Sequence, residues 1–172
     1  MFTCNNHRQA IVDLLRYCIQ NKGLNVYAWC LMSNHLHLVV NCDEPFQLKD
    51  VIRDFKRHVV KQVIFQIINE PESRREWLLR EFKQEGQKSI RNKEYKFWKV
   101  GSHAIELYSE KFTESSALCV LEKINYIHNN PVSENYVKKP QDWIYSSASN
   151  YWNGYGILDE VHCLTPPVKT IN

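Results

Sequence analysis

Apolar residues recur at helical, then strand, then helical spacing along this chain. Ile11, Leu14, Leu15, Cys18 and Ile19 return at intervals of three and four, which predicts a helix over 7–21 with Gly23 as its stop. Leu24 to Met32 is rich in strand formers, Ser33-Asn34 suits a turn, and Leu36, Leu38 and Val40 alternate with His35 and His37. These two runs predict a β-hairpin, closed by 41–45. A longer helix is expected over 47–69, its buried stripe traced by Leu48, Val51, Ile52, Phe55, Val59, Val63 and Ile67. Gln62 is the polar exception in that stripe. Glu70-Pro71-Glu72 breaks the helix, and a further helical stretch over 73–85 carries Trp77, Leu78 and Phe82. The next segment, 86–96, is polar and basic. A third long helix is placed over 113–130, with Thr113 as N-cap and Pro131 as stop. A short helical piece over 148–152 precedes an irregular tail.

Composition narrows the picture only slightly. The 172 residues fit one domain with a real core, at 44% hydrophobic and 24% charged content. A formal net charge of +3 permits a polyanionic partner without arguing for one. No apolar run approaches the roughly 20 residues that span a bilayer, and the N-terminus lacks the zones of a signal peptide. A membrane partner is therefore not expected. The six cysteines are scattered with no Cys-x-x-Cys pair, which speaks against a zinc site or a disulfide framework. They suit small buried residues in a reduced, cytoplasmic protein.

Candidate chemistry begins at the hairpin. In a strand, His35 and His37 share one face while Leu36, Leu38 and Val40 take the other, so two imidazoles form half of a metal site. On a helical wheel of 113–130, Ala117, Val120, Leu121, Ile124 and Ile127 cluster as the buried stripe. Tyr126 falls nearly opposite, in a row with Glu122 and Asn130. Alone, that tyrosine reads as a partly exposed packing aromatic. Asn130 changes the weighting, because its carboxamide oxygen is a hard ligand one turn from a hydroxyl nucleophile. Arg53, Lys56 and Arg57, with Lys49 and Lys61, make the 47–69 helix lopsidedly basic. Such a face is ordinarily just solvated. Tyr95 to Lys99 interleaves aromatics with lysines, which suits base stacking and suits equally a strand with two buried aromatics.

Three motifs in order carry a resemblance. His35-Leu36-His37 resembles the histidine–hydrophobic–histidine (HUH) motif of single-strand DNA nucleases. The surrounding Trp29 to Val40 looks like the hairpin of the single-tyrosine insertion-sequence transposases, and Tyr126 to Val132 looks like the end of their catalytic helix. Trp143-Ile144-Tyr145-Ser146-Ser147 resembles the Trp-x-x-Ser-Ser segment of the REP-associated branch.

The resemblance implies an α+β, ferredoxin-like antiparallel sheet with helices on one face. It spans one domain, 1–152, with a helical and basic insertion at about 70–96 and a tail at 153–172. It implies Tyr126 as nucleophile, and His35, His37 and Asn130 as ligands of Mg²⁺ or Mn²⁺. The implied chemistry is cutting and rejoining of single-stranded DNA through a 5′-phosphotyrosine. DNA, carrying a hairpin, is the implied partner, with a homodimer in the insertion-sequence branch. Arg53, Lys56, Arg57, Phe97 and Trp98 become the candidate DNA contacts. His128 is read as a packing or DNA-contact residue.

Only about six residues precede the first helix, so a ferredoxin-like first strand is expected to be missing or truncated. That departure sustains a second reading, a domesticated or truncated protein that holds a DNA hairpin without cutting it. A third, an unrelated metalloenzyme built on His35 and His37, leaves the Tyr126 motif unexplained.

Overall fold

The computed structural model describes residues 4–88, 95–98 and 114–164. The elements are α1 (Asn5–Lys22), β1 (Leu24–Leu31), β2 (Leu36–Cys42), α2 (Leu48–Asn69), α3 (Arg75–Gln87), α4 (Glu114–Ser133) and α5 (Ala148–Asn153). The α+β class expected from the sequence is the class observed. Its antiparallel hairpin, with helices laid across it, fits a ferredoxin-like fold of which two strands lie among the described residues.

Gly23 ends α1 in the left-handed conformation, at φ 59°, and returns its N–H to the Cys18 carbonyl. A Cβ there would meet the Phe46 ring at 3.0 Å and the Asp43 carbonyl at 3.3 Å. Conformation and space both select glycine at the entry to β1.

The hairpin carries an irregularity that decides where its side chains go. Val26 pairs with Val40 and Ala28 with Val39, so Tyr27 is the extra residue of a bulge. The bulge shifts the alternation of β1 by one. Leu24, Val26, Trp29 and Leu31 therefore face one core, while Ala28, Cys30 and Met32 face another. Both faces of the sheet are covered. The expected helical layer is α1 and α2, whose Ile11, Val12, Leu15, Val51, Phe55, Val59 and Val63 bury the first face. Across the second lies α4, seated by Val120, Ile124 and Ile127. Those three belong to the stripe predicted for it.

The outer edge of β1 is also occupied. Leu31 N–H donates to the Tyr145 carbonyl (2.8 Å), Ser147 N–H to the Trp29 carbonyl (2.9 Å) and His162 N–H to the Val26 carbonyl (2.8 Å). The Trp-x-x-Ser-Ser segment thus lies beside β1, joined through a bridge between Cys30 and Ser146. The described part of the tail is irregular, as expected, yet it is packed: Leu158 is fully buried and Arg16 Nη2 donates to the Ile157 carbonyl at 2.7 Å.

Pro131 does not stop α4, contrary to expectation. The helix runs on to Ser133 with the proline in its last turn. It ends where Asn135 takes φ 59°, its N–H bonding the Val132 carbonyl and the next N–H, of Tyr136, bonding the Pro131 carbonyl. This is a Schellman closure, with an asparagine in the left-handed position. Thr113, the expected N-cap, lies outside the described residues.

Candidate active site

Register fixes the histidines before any chemistry is considered. His37 is paired with Cys30, so it shares the sheet face on which α4 lies; His35, two residues earlier, precedes the first residue of β2. The turn between the strands is closed by Met32 N–H donating to the His35 carbonyl at 2.9 Å. The two rings meet edge to face, with centroids 4.6 Å apart. From the other side comes Tyr126, its ring centroid 6.0 Å from that of His37 and its plane turned by 78°. Tyr126 therefore flanks the buried stripe of α4 rather than pointing away from the sheet. Its side is open to solvent, the residue being 61% exposed.

Three polar atoms here have a readable hydrogen-bonding state. His35 Nδ1 is bonded to Asn34 Oδ1. An amide oxygen only accepts, so Nδ1 carries the hydrogen and Nε2 keeps its lone pair. His37 Nε2 is buried and has no hydrogen-bond partner. Asn130 Nδ2 donates to the Tyr126 carbonyl at 2.9 Å, which leaves Oδ1 as the free end of that amide. Burial lowers the pKa of both histidines; His35 lowers that of His37 further, and Glu134 partly offsets the effect on His35. Both rings are neutral near pH 7, the state a metal ligand requires.

Among the described residues, no group of three or more His, Cys, Asp or Glu side chains could hold a metal ion. The structure brings His35, His37 and Tyr126 together, and the expected ligand set adds the amide oxygen of Asn130, one turn beyond Tyr126 on α4. Those residues fit a divalent ion in three respects. The orphaned His37 Nε2 lacks any protein partner, the His35 tautomer is fixed by an outer hydrogen bond, and the Asn130 amide is oriented by its own helix.

His128 is a packing residue. It is 2% exposed, and its Nε2 lies 2.7 Å from Ser147 Oγ. Burial pushes its pKa down to about 4, so it is neutral at pH 7. Glu122 is solvent-exposed, as a helix-surface glutamate would be.

The candidate DNA contacts are not gathered at this site. Arg53, Lys56 and Arg57 lie on α2, whose packing is against the opposite face of the sheet. Arg53 is paired with Asp50 at 2.6 Å and Asp54 at 3.1 Å. Phe97 is 5% exposed and packs on Phe82, with centroids 5.1 Å apart, so burial removes it from any base-stacking role. Trp98 is half-buried, its indole N–H given to the Lys56 carbonyl at 3.0 Å and its ring beneath the Lys56 ammonium.

The sequence reading missed Tyr136, whose hydroxyl donates to Ser33 Oγ at 2.9 Å, and the stacking of its ring on Trp143. Asparagine followed by an aromatic just past a helix end was the available signal.

The family model for IS200-like transposases matches residues 1–107. The matched stretch holds α1, the hairpin with both histidines, α2 and α3, and ends before Tyr126. No curated protein matches, and no solved structure matches. With 107 of its 172 residues matched and the histidine pair seated on the hairpin as described, the chain belongs to the IS200-like transposase family.

Proposed function

We propose that this transposase-family protein cuts and rejoins single-stranded DNA, with Tyr126 as nucleophile and His35, His37 and Asn130 as ligands of a divalent metal ion. The single observation that carries the reading is the approach of the exposed Tyr126 ring to His37, whose buried Nε2 has no protein partner. When bound, Mg²⁺ or Mn²⁺ would supply Lewis-acid polarisation of a phosphate oxygen.

The rest of the chemistry belongs to the chain. Tyr126 projects from α4, held on the sheet by Val120, Ile124 and Ile127, so its hydroxyl is presented from a rigid element. Attack of that oxygen on phosphorus forms a tyrosyl phosphodiester and breaks the bond to the 3′ oxygen. The phenolic proton leaves to solvent, and the departing 3′ oxygen takes one up. Free tyrosine has a pKa of about 10, so the reaction needs the phenol activated. Attack by a second 3′-hydroxyl reverses the step and joins new ends. The phosphodiester bond energy is conserved throughout, so no nucleotide cofactor is required.

The test is a labelled, hairpin-bearing single-stranded DNA incubated with the protein and Mn²⁺, then resolved on a denaturing gel. A covalent adduct that disappears in Tyr126→Phe is expected. Binding without an adduct would replace this reading with that of a hairpin-binding protein, and neither binding nor adduct would defeat both.

A further inference from the structure

We propose that the exposed face of Tyr136 is a stacking platform for an unpaired DNA base next to the phosphate handled at His35 and His37. The proposal rests on the function proposed above.

Backbone chemistry puts the ring there. The Schellman closure at Asn135 turns the chain sharply, so the residue after it folds back toward the hairpin. Tyr136 then reaches Ser33, two residues before His35, and its hydroxyl donates to Ser33 Oγ at 2.9 Å. One face of the ring lies on Trp143, with centroids 5.3 Å apart and planes within 24°. Trp143 is itself fixed, its indole N–H bonded to the Leu31 carbonyl at 3.0 Å. The Arg8 guanidinium lies over Trp143 at 5.3 Å and over Tyr145 at 5.1 Å.

Three features point to a base as the occupant. Tyr136 is 46% exposed although one face is covered, so the exposure lies on the other face and the edge. The ring is held at both ends, by stacking and through its hydroxyl, so little side-chain entropy remains to be lost on binding. It is tied to the turn that leads into His35, which makes the platform continuous with the candidate site. A flat aromatic with Lys138 and Lys139 following it in the chain matches what single-strand binders use, a π-face for the base and cations for the backbone.

The experiment measures fluorescence anisotropy of a labelled DNA hairpin with a single-stranded dT tail, using the full chain. One abasic residue is walked along the tail. Tyr136→Leu is expected to weaken binding about tenfold, in the range found for loss of one base–aromatic stack. At one tail position the abasic substitution should cost the wild type that same factor and cost Tyr136→Leu nothing further. Tyr136→Phe should bind within about twofold of wild type, because it keeps the ring. If Tyr136→Leu does not fold, Tyr136→Trp replaces it, and there the abasic penalty should persist or grow. Wild-type binding with no abasic penalty at any tail position, with a penalty that is equal in wild type and Tyr136→Leu, or with one that is lost in Tyr136→Trp, overturns the platform and leaves the proposed function standing. Absence of any single-strand binding by the wild type overturns both.

Discussion

His128 and Ser147 join α4 to the edge of the sheet through a buried contact, Nε2 to Oγ, of 2.7 Å. The serine hydroxyl donates to the Trp29 carbonyl at 3.2 Å and accepts the Trp29 N–H at 2.9 Å. With its hydrogen so committed, it must accept from His128, which fixes the Nε2–H tautomer. The helix that presents Tyr126 is thus tied by hydrogen bonds as well as by its apolar stripe.

Ser147→Ala is therefore expected to leave two buried donors, the Trp29 N–H and the His128 Nε2–H, without an acceptor. The loss should be about 1–3 kcal/mol, toward the upper end because two groups are orphaned. Urea denaturation should show a lower midpoint with an unchanged slope. An unchanged midpoint would mean that the network contributes nothing net.

The cysteines give a second expectation. Burial pushes the Cys30 thiol up to about 12 and the Cys18 thiol up to about 11. Both are buried, whereas Cys119 and Cys163 are exposed. The thiolate is the reactive species, so at pH 8 Cys18 and Cys30 should be inert to a disulfide reagent in the native protein. They should react only as fast as the chain unfolds in urea, while Cys119 reacts at once. Rapid native labelling of Cys30, read by peptide mass spectrometry, would contradict the buried position of β1.

Much of this architecture is legible in the sequence where local rules act alone. Gly23, the hairpin runs and most of the stripe of α2 follow from periodicity and capping, although Leu48 and Gln62 of that stripe are exposed. The shared face of the histidine pair follows from strand alternation, whereas the helical wheel sets Tyr126 opposite the buried stripe and only the family resemblance links it to the histidines. What failed to show was set by tertiary context. The continuous apolar run of β1 hides the bulge at Tyr27, because a strand buried on both faces has no alternation to interrupt. Pro131 reads as a stop, yet a proline in the last turn removes one hydrogen bond without preventing the closure at Asn135. Phe97 and Trp98 look alike in sequence, and only packing against Phe82 separates the buried one from the half-exposed one.

A third expectation concerns pH. His7 sits in the first turns of α1, 4% exposed, and its pKa is lowered, chiefly by burial, against an upward pull from Glu72 and Glu70. In the unfolded chain a histidine titrates near 6.5. Below about pH 6.5 the unfolded state therefore binds more protons than the native state, and stability falls as pH falls. Thermal midpoints measured between pH 7 and pH 5 should decline, and His7→Gln should make the decline shallower. A variant curve parallel to the wild type would assign the acid sensitivity to other groups.

The proposed metal site makes the sharpest prediction, because its sign reverses with the ion. Without metal, His37 keeps a buried Nε2 with no partner, and such a group destabilises by about 1–3 kcal/mol. Replacing it with leucine removes that penalty and also the edge contact with Tyr126, worth roughly 0.5–1.5 kcal/mol. His37→Leu should therefore melt at or above the wild type in chelator. Mn²⁺ should then raise the wild-type midpoint by mass action, by about 2.7 kcal/mol of stability at a hundred times its Kd. The variant, reduced to one imidazole and one amide oxygen, should not respond. Calorimetry in chelator and in Mn²⁺ thus should give opposite orders of stability for the two proteins. Equal responses to Mn²⁺ would take His37 out of the ligand set. A wild type that ignores Mn²⁺ while melting below His37→Leu would leave the orphaned nitrogen as a destabilising feature with no metal to relieve it.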